Sequence, residues 1–105
     1  MNKVLRSWGY YITLLRTKKL CIKILRFNER SHISMQRHQN RSEFWLLLVG
    51  WGSMDLGGSG FMFAMDHCLV RPNQWHQFKS NTPCLVLEIQ YGKHVSEDDI
   101  ERKPI

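Results

Sequence analysis

The stretch "HISMQRHQNRSEFW", His32 to Trp45, carries the reading of both the fold and the chemistry. It alternates polar with apolar residues and gathers His32, Gln36, His38, Arg41 and Glu43. Alternation marks a β-strand, because successive side chains point to opposite faces. Gln36 and His38 therefore share one strand face, and Glu43 opens the next strand five residues later. Such a run is either the wall of a metal site or an ordinary strand with its polar face in water. Spacing alone leaves both readings open.

Strand signals continue on either side. "YYITLL" (10–15) is rich in aromatic and β-branched residues, "LCIKILRF" (20–27) alternates in part, and "HISMQ" (32–36) follows a polar turn at 28–31. "FWLLLVG" (44–50) reads as a buried strand closed by Gly50 and Gly52. "SMDL" and "FMFAM" flank "GGSG" (57–60), the composition of a tight hairpin. "DHCLVRPNQ" leads through a Pro-Asn turn to "WHQF" (75–78), and "CLVLEIQYG" (84–92) is the last strong strand. The tail "SEDDIERK" is expected to form a short helical turn capped by Ser96. Many short strands with a turn every eight to twelve residues predict an all-β sandwich or barrel.

A chain of 105 residues, 43% hydrophobic and 11% aromatic, has the size and composition of one globular domain. The formal charge of +6 is uneven: residues 1–52 hold ten Lys/Arg and two acids, and residues 53–105 hold five and seven. Basic residues alternate with apolar ones, as in "CIKILRF", which is the pattern of solvated strand faces. A phosphorylated metabolite is the functional alternative. No motif for nucleic-acid binding accompanies the charge, so no nucleic-acid partner is expected. Cys21, Cys68 and Cys84 are odd in number, widely spaced and set among apolar residues. They read as buried free thiols in a reducing, cytoplasmic setting. No signal peptide is expected, and the longest apolar run, 44–49, is too short to span a membrane.

His76, directly after a turn, joins Gln36, His38 and Glu43 as a donor set for a divalent cation such as zinc, cobalt, manganese, nickel or iron. Trp45, Trp51, Phe61 and Phe63 are expected in the core.

The order of these segments resembles the cupin pattern: two ligands spaced by two, a Glu, and a distant His after a turn. More narrowly, "SWGYY", "SMQRH", "RSEFW", "GWGSMDLGG", "WHQF" and "LEIQYGKHVSEDDIERK" resemble the C-terminal isomerase domain of type II phosphomannose isomerases, the bifunctional mannose-1-phosphate guanylyltransferases. The likeness runs from about Arg6 to Lys103. It implies a cupin double-stranded β-helix, a jelly-roll barrel, as a single domain. The N-terminal strand would cover about 6–16, the barrel 20–92 and a short tail 93–105. It places Gln36, His38, Glu43 and His76 at the four metal-ligand positions. There are departures: "HQN" stands where three consecutive histidines are usual, Phe44 replaces a His, and Asn73 stands where the second motif has Gly. Asn accepts left-handed backbone, so that turn can survive. His32 and Arg71 replace an Arg and a Pro.

The resemblance implies interconversion of mannose 6-phosphate and fructose 6-phosphate through an enediol. Glu88 is the candidate base and Arg102 a candidate for phosphate or the enediolate, both catalytic. Arg41 and Gln90 are candidates for substrate binding, with an ion pair to an acid the alternative for Arg41. Two other functions stay open: a cupin that binds a sugar or sugar phosphate without catalysis, and a nucleotide-sugar isomerase or epimerase. These residues hold no guanylyltransferase sequence, so no nucleotide transfer carries over. Exposed sheet edges and a modest core lead to the expectation of a homodimer, with residues 1–15 exchanged or packed across it.

Overall fold

The computed structural model describes residues 2–104. Its strands are β1 (Lys3–Arg6), β2 (Gly9–Arg16), β3 (Leu20–Phe27), β4 (Gln36–Arg37), β5 (Arg41–Val49), β6 (Gly52–Asp55), β7 (Ser59–Met62), β8 (His67–Val70), β9 (Gln77–Ser80), β10 (Cys84–Gly92) and β11 (Glu101–Arg102). Six form one sheet in the order β1-β2-β3-β10-β5-β8, three form a second in the order β7-β6-β9, and β4 pairs with β11. From β5 onward the chain passes back and forth between the two larger sheets, which is the expected double-stranded β-helix.

Alternation sets the layering. Along β3, β5 and β10 every second residue is buried. At one end the inward residues are apolar: Phe27, Leu47, Val70, Phe78 and Val86 are almost wholly inaccessible. Phe27 is the hub, stacked on Trp8 at 4.4 Å and tilted against Phe78 at 4.9 Å. Aromatic groups bury the most area per residue and fix their neighbours' geometry, so this cluster anchors the two sheets to each other.

Two glycines are required by the path. Gly9 has φ +149°, and a Cβ there would stand 1.9 Å from the Arg26 carbonyl oxygen on β3. Gly50 has φ +91°, and a Cβ would meet the Pro83 oxygen at 2.2 Å. At these positions only glycine lets the backbones approach. Asn73 takes the left-handed conformation at φ +63°, so the departure from Gly is absorbed.

Several expectations are corrected. The strand expected at 32–36 is reduced to an isolated bridge between His32 and Lys79, followed by the two residues of β4. The tail forms a turn at Ser96, where the hydroxyl accepts the Asp98 N–H, and then the strand β11 rather than a helix. Trp51, Phe61 and Phe63 are surface residues, with Phe61 72% exposed, whereas Trp45 is buried as expected. Nor is "CIKILRF" a strand with a solvated basic face: Lys23 points inward and is 5% exposed.

Candidate functional site

At the other end of the barrel the inward positions are polar. β5 presents Arg41, Glu43 and Trp45 at successive inward positions, and β10 presents Glu88 and Gln90. Register sets Gln90 opposite Glu43 and Glu88 opposite Trp45, while Lys23 of β3 lies opposite Glu88. His38 comes from the turn before β5, and His76 lies just ahead of β9. Backbone hydrogen bonds join Gln36 to His76 in both directions, at 3.0 and 2.9 Å. Two segments forty residues apart in sequence thus bring these ligand candidates together.

His38, Glu43 and His76 are all buried, and their potential ligand atoms lie within 4.8 Å of one another. His38 Nε2 is 3.1 Å from Glu43 Oε2, and His76 Nε2 is 3.3 Å from Glu43 Oε1. Each ring is held through its other nitrogen. His38 Nδ1 donates to the Asp99 carbonyl at 2.7 Å, and His76 Nδ1 donates to the Gln74 carbonyl at 3.1 Å. A carbonyl only accepts, so a neutral ring carries its proton on Nδ1 and aims a bare Nε2 lone pair at the carboxylate. His76 Nε2 then has no hydrogen-bond partner although it is fully buried. Lone pairs facing lone pairs at this distance call for positive charge between them, as two imidazolium protons or as one cation. Backbone-oriented imidazoles beside a carboxylate are the donor set of a divalent metal site, and these residues fit one.

Glu43 has other partners. Trp45 Nε1 donates to its Oε1 at 2.9 Å, and Arg41 Nε donates to its Oε2 at 2.9 Å. Arg41 Nη2 stands 2.8 Å from the same Oε2 and 3.3 Å from His38 Nε2. The ion pair anticipated for Arg41 is therefore formed. Burial opposes charge on Glu43, but positive charge at the His38 and His76 edges, together with the Arg41 guanidinium, outweighs it and holds the carboxyl well below its usual range. Glu88 goes the other way: burial, and then the Glu43 charge beside it, raise it well above that range against the pull of Lys23 and Arg41. Two neighbouring carboxyls are thus pushed in opposite directions, Glu43 toward the ionised form and Glu88 toward proton uptake.

Gln90 Nε2 donates to Glu88 Oε1 at 3.1 Å, and its buried Oε1 has no partner. Gln36 is half-buried, with Nε2 toward Ser34. Arg102, on β11, is exposed and lies opposite Gln36 in the ladder. A cavity of about 600 Å³ is lined by Gln36, Arg41, Glu88, Gln90 and Arg102, within the size range of small-molecule sites. Its wall holds five cationic side chains, Arg6, Lys23, Arg41, Arg102 and Lys103, and two acids, Glu88 and Glu97; Lys23 is paired with Glu97 and Arg41 with Glu43, which leaves Arg6, Arg102 and Lys103 to favour an anion.

Sequence reasoning missed two tail residues. Glu97 binds Lys23 at 2.7 Å and also pairs with Arg16. The Asp99 carboxylate accepts the Gln39 and Asn40 N–H groups at 2.8 Å each, while its carbonyl holds His38. Consecutive acids in a tail read as water-facing, and no local spacing marks a partner sixty residues away. Lys23 was legible as an alternating position, but not as an inward one.

A profile of the family described as mannose-6-phosphate isomerase C-terminal matches residues 1–104. A mannose-1-phosphate guanylyltransferase from Escherichia coli is 29% identical over 104 residues, covering 96% of this chain. The chain spans 22% of that relative's length. A Klebsiella pneumoniae protein with a double-stranded β-helix domain superposes with a TM-score of 0.77 at 13% identity, over 98% of this chain and 85% of that one. A cupin superfamily protein from Desulfitobacterium hafniense gives 0.74 at 14% identity, over 79% and 76%. These likenesses establish the cupin fold. No helix among the described residues is long and apolar enough to cross a membrane.

Proposed function

The chain belongs to the mannose-6-phosphate isomerase C-terminal family, and from that premise we propose that it is a metal-dependent sugar-phosphate isomerase interconverting mannose 6-phosphate and fructose 6-phosphate. The observation that carries the reading is the convergence of the His38 and His76 Nε2 atoms on Glu43, whose carboxylate is also held by Arg41 and Trp45 of the cavity wall. His38, Glu43 and His76 would hold the ion, with Gln36 as the fourth ligand. A bound divalent cation supplies charge that polarises a carbonyl oxygen and offsets negative charge developing on it.

The remaining steps belong to the chain's own groups. Glu88, as the carboxylate, removes the C2 proton of the open-chain aldose, giving an enediolate. The one hydroxyl proton passes from O2 to O1, and Glu88 returns its proton to C1, leaving the ketose with Glu88 again a carboxylate. A carboxyl raised well above its usual range is suited to keep the proton between the two steps. Gln90 fixes Glu88 through Oε1, so that Oε2 carries the proton, and offers its own free Oε1 to a sugar hydroxyl. Arg102 and the neighbouring cations take the phosphate.

One observation favours a second reading, a cupin that binds a sugar phosphate without turning it over. Arg41 Nη2 occupies the Glu43 oxygen nearest His38, where it competes with a metal ion. A coupled assay of fructose 6-phosphate formation, run with zinc, cobalt, manganese or a chelator, separates the two. Metal-dependent turnover that falls by about 10²–10⁴ in Glu88→Gln supports the isomerase. Calorimetric binding of mannose 6-phosphate without turnover under any metal refutes it and supports the binding protein.

A further inference from the structure

Two cations of the cavity wall are buried, Arg41 and Lys23. Arg41 is committed to Glu43 and to the Ser96 carbonyl. Lys23 sits with its Nζ 4.2 Å from the centre of the Tyr11 ring. An ammonium carries three donors, and a buried one needs an opposing charge. Among the described residues its one hydrogen-bond acceptor is Glu97, whose Oε1 stands 2.7 Å from Nζ. That counter-charge comes from the tail, and its side chain is 50% exposed. Arg16 binds the same Oε1, while Oε2 has no hydrogen bond among the described residues. Nor is the carboxylate needed to dock the tail. Val95 is buried and its N–H donates to the Lys18 carbonyl, the Ser96 carbonyl accepts from Arg41, and the Asp99 carboxylate holds the turn at 39–40. The backbone on both sides of Glu97 is thus fixed, and its side chain can turn into water while the main chain stays. We propose that Lys23 and Arg16 form an anion subsite, which Glu97 occupies in the free protein and which the phosphate of a sugar phosphate takes by displacing it.

The subsite rests on the sugar-phosphate reading above and gives the phosphate its place within the cavity. Charge favours a phosphate over a second carboxylate. Two cations share one monoanion here, so the cluster keeps a positive excess. A phosphate monoester carries about −1.5 to −2 near pH 7 and presents three strong acceptor oxygens. Bonds from a guanidinium and an ammonium to such oxygens are among the stronger hydrogen bonds. Arg6, which also lies on the Tyr11 ring at 5.3 Å, and the exposed Arg102 and Lys103 add attraction at longer range. Glu97 then acts as a tethered competitor, present at a fixed local concentration whatever the solution holds. It turns away weak monoanions and yields to a dianion, which is selection by an opposing element as well as by attraction.

Titration calorimetry at neutral pH with inorganic phosphate, mannose 6-phosphate and mannose tests the proposal. Glu97→Gln removes the competitor and should bind both phosphates about 2–5-fold more tightly, with mannose unchanged. Were the carboxylate a structural tie, the variant would loosen the tail that bears Arg102 and bind phosphate more weakly. Weaker or unchanged binding therefore overturns the proposal, as does equal tightening for mannose. Tightening for inorganic phosphate but not for mannose 6-phosphate overturns the assignment to the sugar's phosphate. Lys23→Met should weaken both phosphates by about 10–100-fold, and in that background Glu97→Gln should lose most of its effect. Full tightening there would remove Lys23 from the subsite and overturn it. Should Lys23→Met not fold, the single Glu97→Gln variant, at a half-exposed position, still decides by the sign of its effect. Tightening without turnover under any metal would refute the isomerase and leave the subsite standing. Turnover with wild-type phosphate affinity in Glu97→Gln would do the reverse.

Discussion

Replacing Asp99 by alanine should weaken metal binding at a site that its side chain never touches. The carboxylate accepts two backbone N–H groups, from Gln39 and Asn40, at 2.8 Å each. Hydrogen bonds to a charged group contribute about 1.5–3 kcal/mol each, and half-burial brings such a pair to roughly 2–3 kcal/mol in total. Losing them loosens the turn at 39–40 from the tail, which stays attached through the β4–β11 ladder and the Arg41 bond to the Ser96 carbonyl. The Asp99 carbonyl that orients His38 Nδ1 then loses its fixed place. Removing a group that orients a metal-binding imidazole costs about 10–100-fold in affinity. Asp99→Ala should therefore bind cobalt or zinc 10–100-fold more weakly by titration calorimetry. Its melting temperature should fall by roughly 10 °C, at about 4–8 °C per kcal/mol for a domain of this size. Asp99→Asn keeps one acceptor oxygen and should fall between the two. Metal affinity equal to wild type in the alanine variant, despite a lowered melting point, would refute the linkage between the tail and His38.

Three further outcomes follow from the packing and the ionisable groups. Phe27→Ala removes the ring between Trp8 and Phe78 and should cost about 3–5 kcal/mol in chemical denaturation; a loss below 1 kcal/mol would mean the cluster is not the anchor. Burial pushes the Cys68 thiol up to about 11, so at pH 8 only about one thiol in 10³ is thiolate, and iodoacetamide should label it far more slowly in the native than in the unfolded protein. For Glu97, burial opposes charge, but the hydrogen bond and charge of Lys23, and then those of Arg16, hold its carboxyl below the usual 4.5. A depressed folded value gives stability that is present above the unfolded value and lost as pH falls through the folded one. Glu97→Gln should therefore flatten the acid limb of stability below about pH 4.5, and an unchanged limb in acid titrations would show that solvent screens the pair completely.

Particular residues show what the sequence could carry. β3 and β10 have the bounds expected, 20–27 and 84–92, because a run of apolar and β-branched residues alternating in part, and for β10 the closing Gly92, are local signals. The segment 32–36 resembles a strand in composition, yet its partners are His76, Lys79 and the tail, so its hydrogen bonding depends on remote chain. Period two assigns Lys23, Glu43, Glu88 and Gln90 to faces but does not say which face is inside. Each face of β3 carries three apolar residues and one basic one, with Cys21, Lys23, Leu25 and Phe27 inward and Leu20, Ile22, Ile24 and Arg26 outward, so hydropathy does not choose between them. His38, Glu43 and His76 were legible from donor chemistry, spacing and resemblance together. Asp99 and Glu97 were not, since a carboxylate that ties distant segments together carries no periodic mark.

Strand β10 joins two environments in a single element. Cys84 and Val86 end in the dry cluster with Phe27, while Glu88 and Gln90 end among charges, all four on one face of one strand. The changeover happens within two residues. Apolar replacements at 88 and 90 would suit the barrel better than the polar groups it has, since buried charge is seldom the most stable filling. Drift toward greater thermal robustness would thus erase the pocket from one end while leaving the fold recognisable, and a sturdier descendant of this barrel would be an inert one.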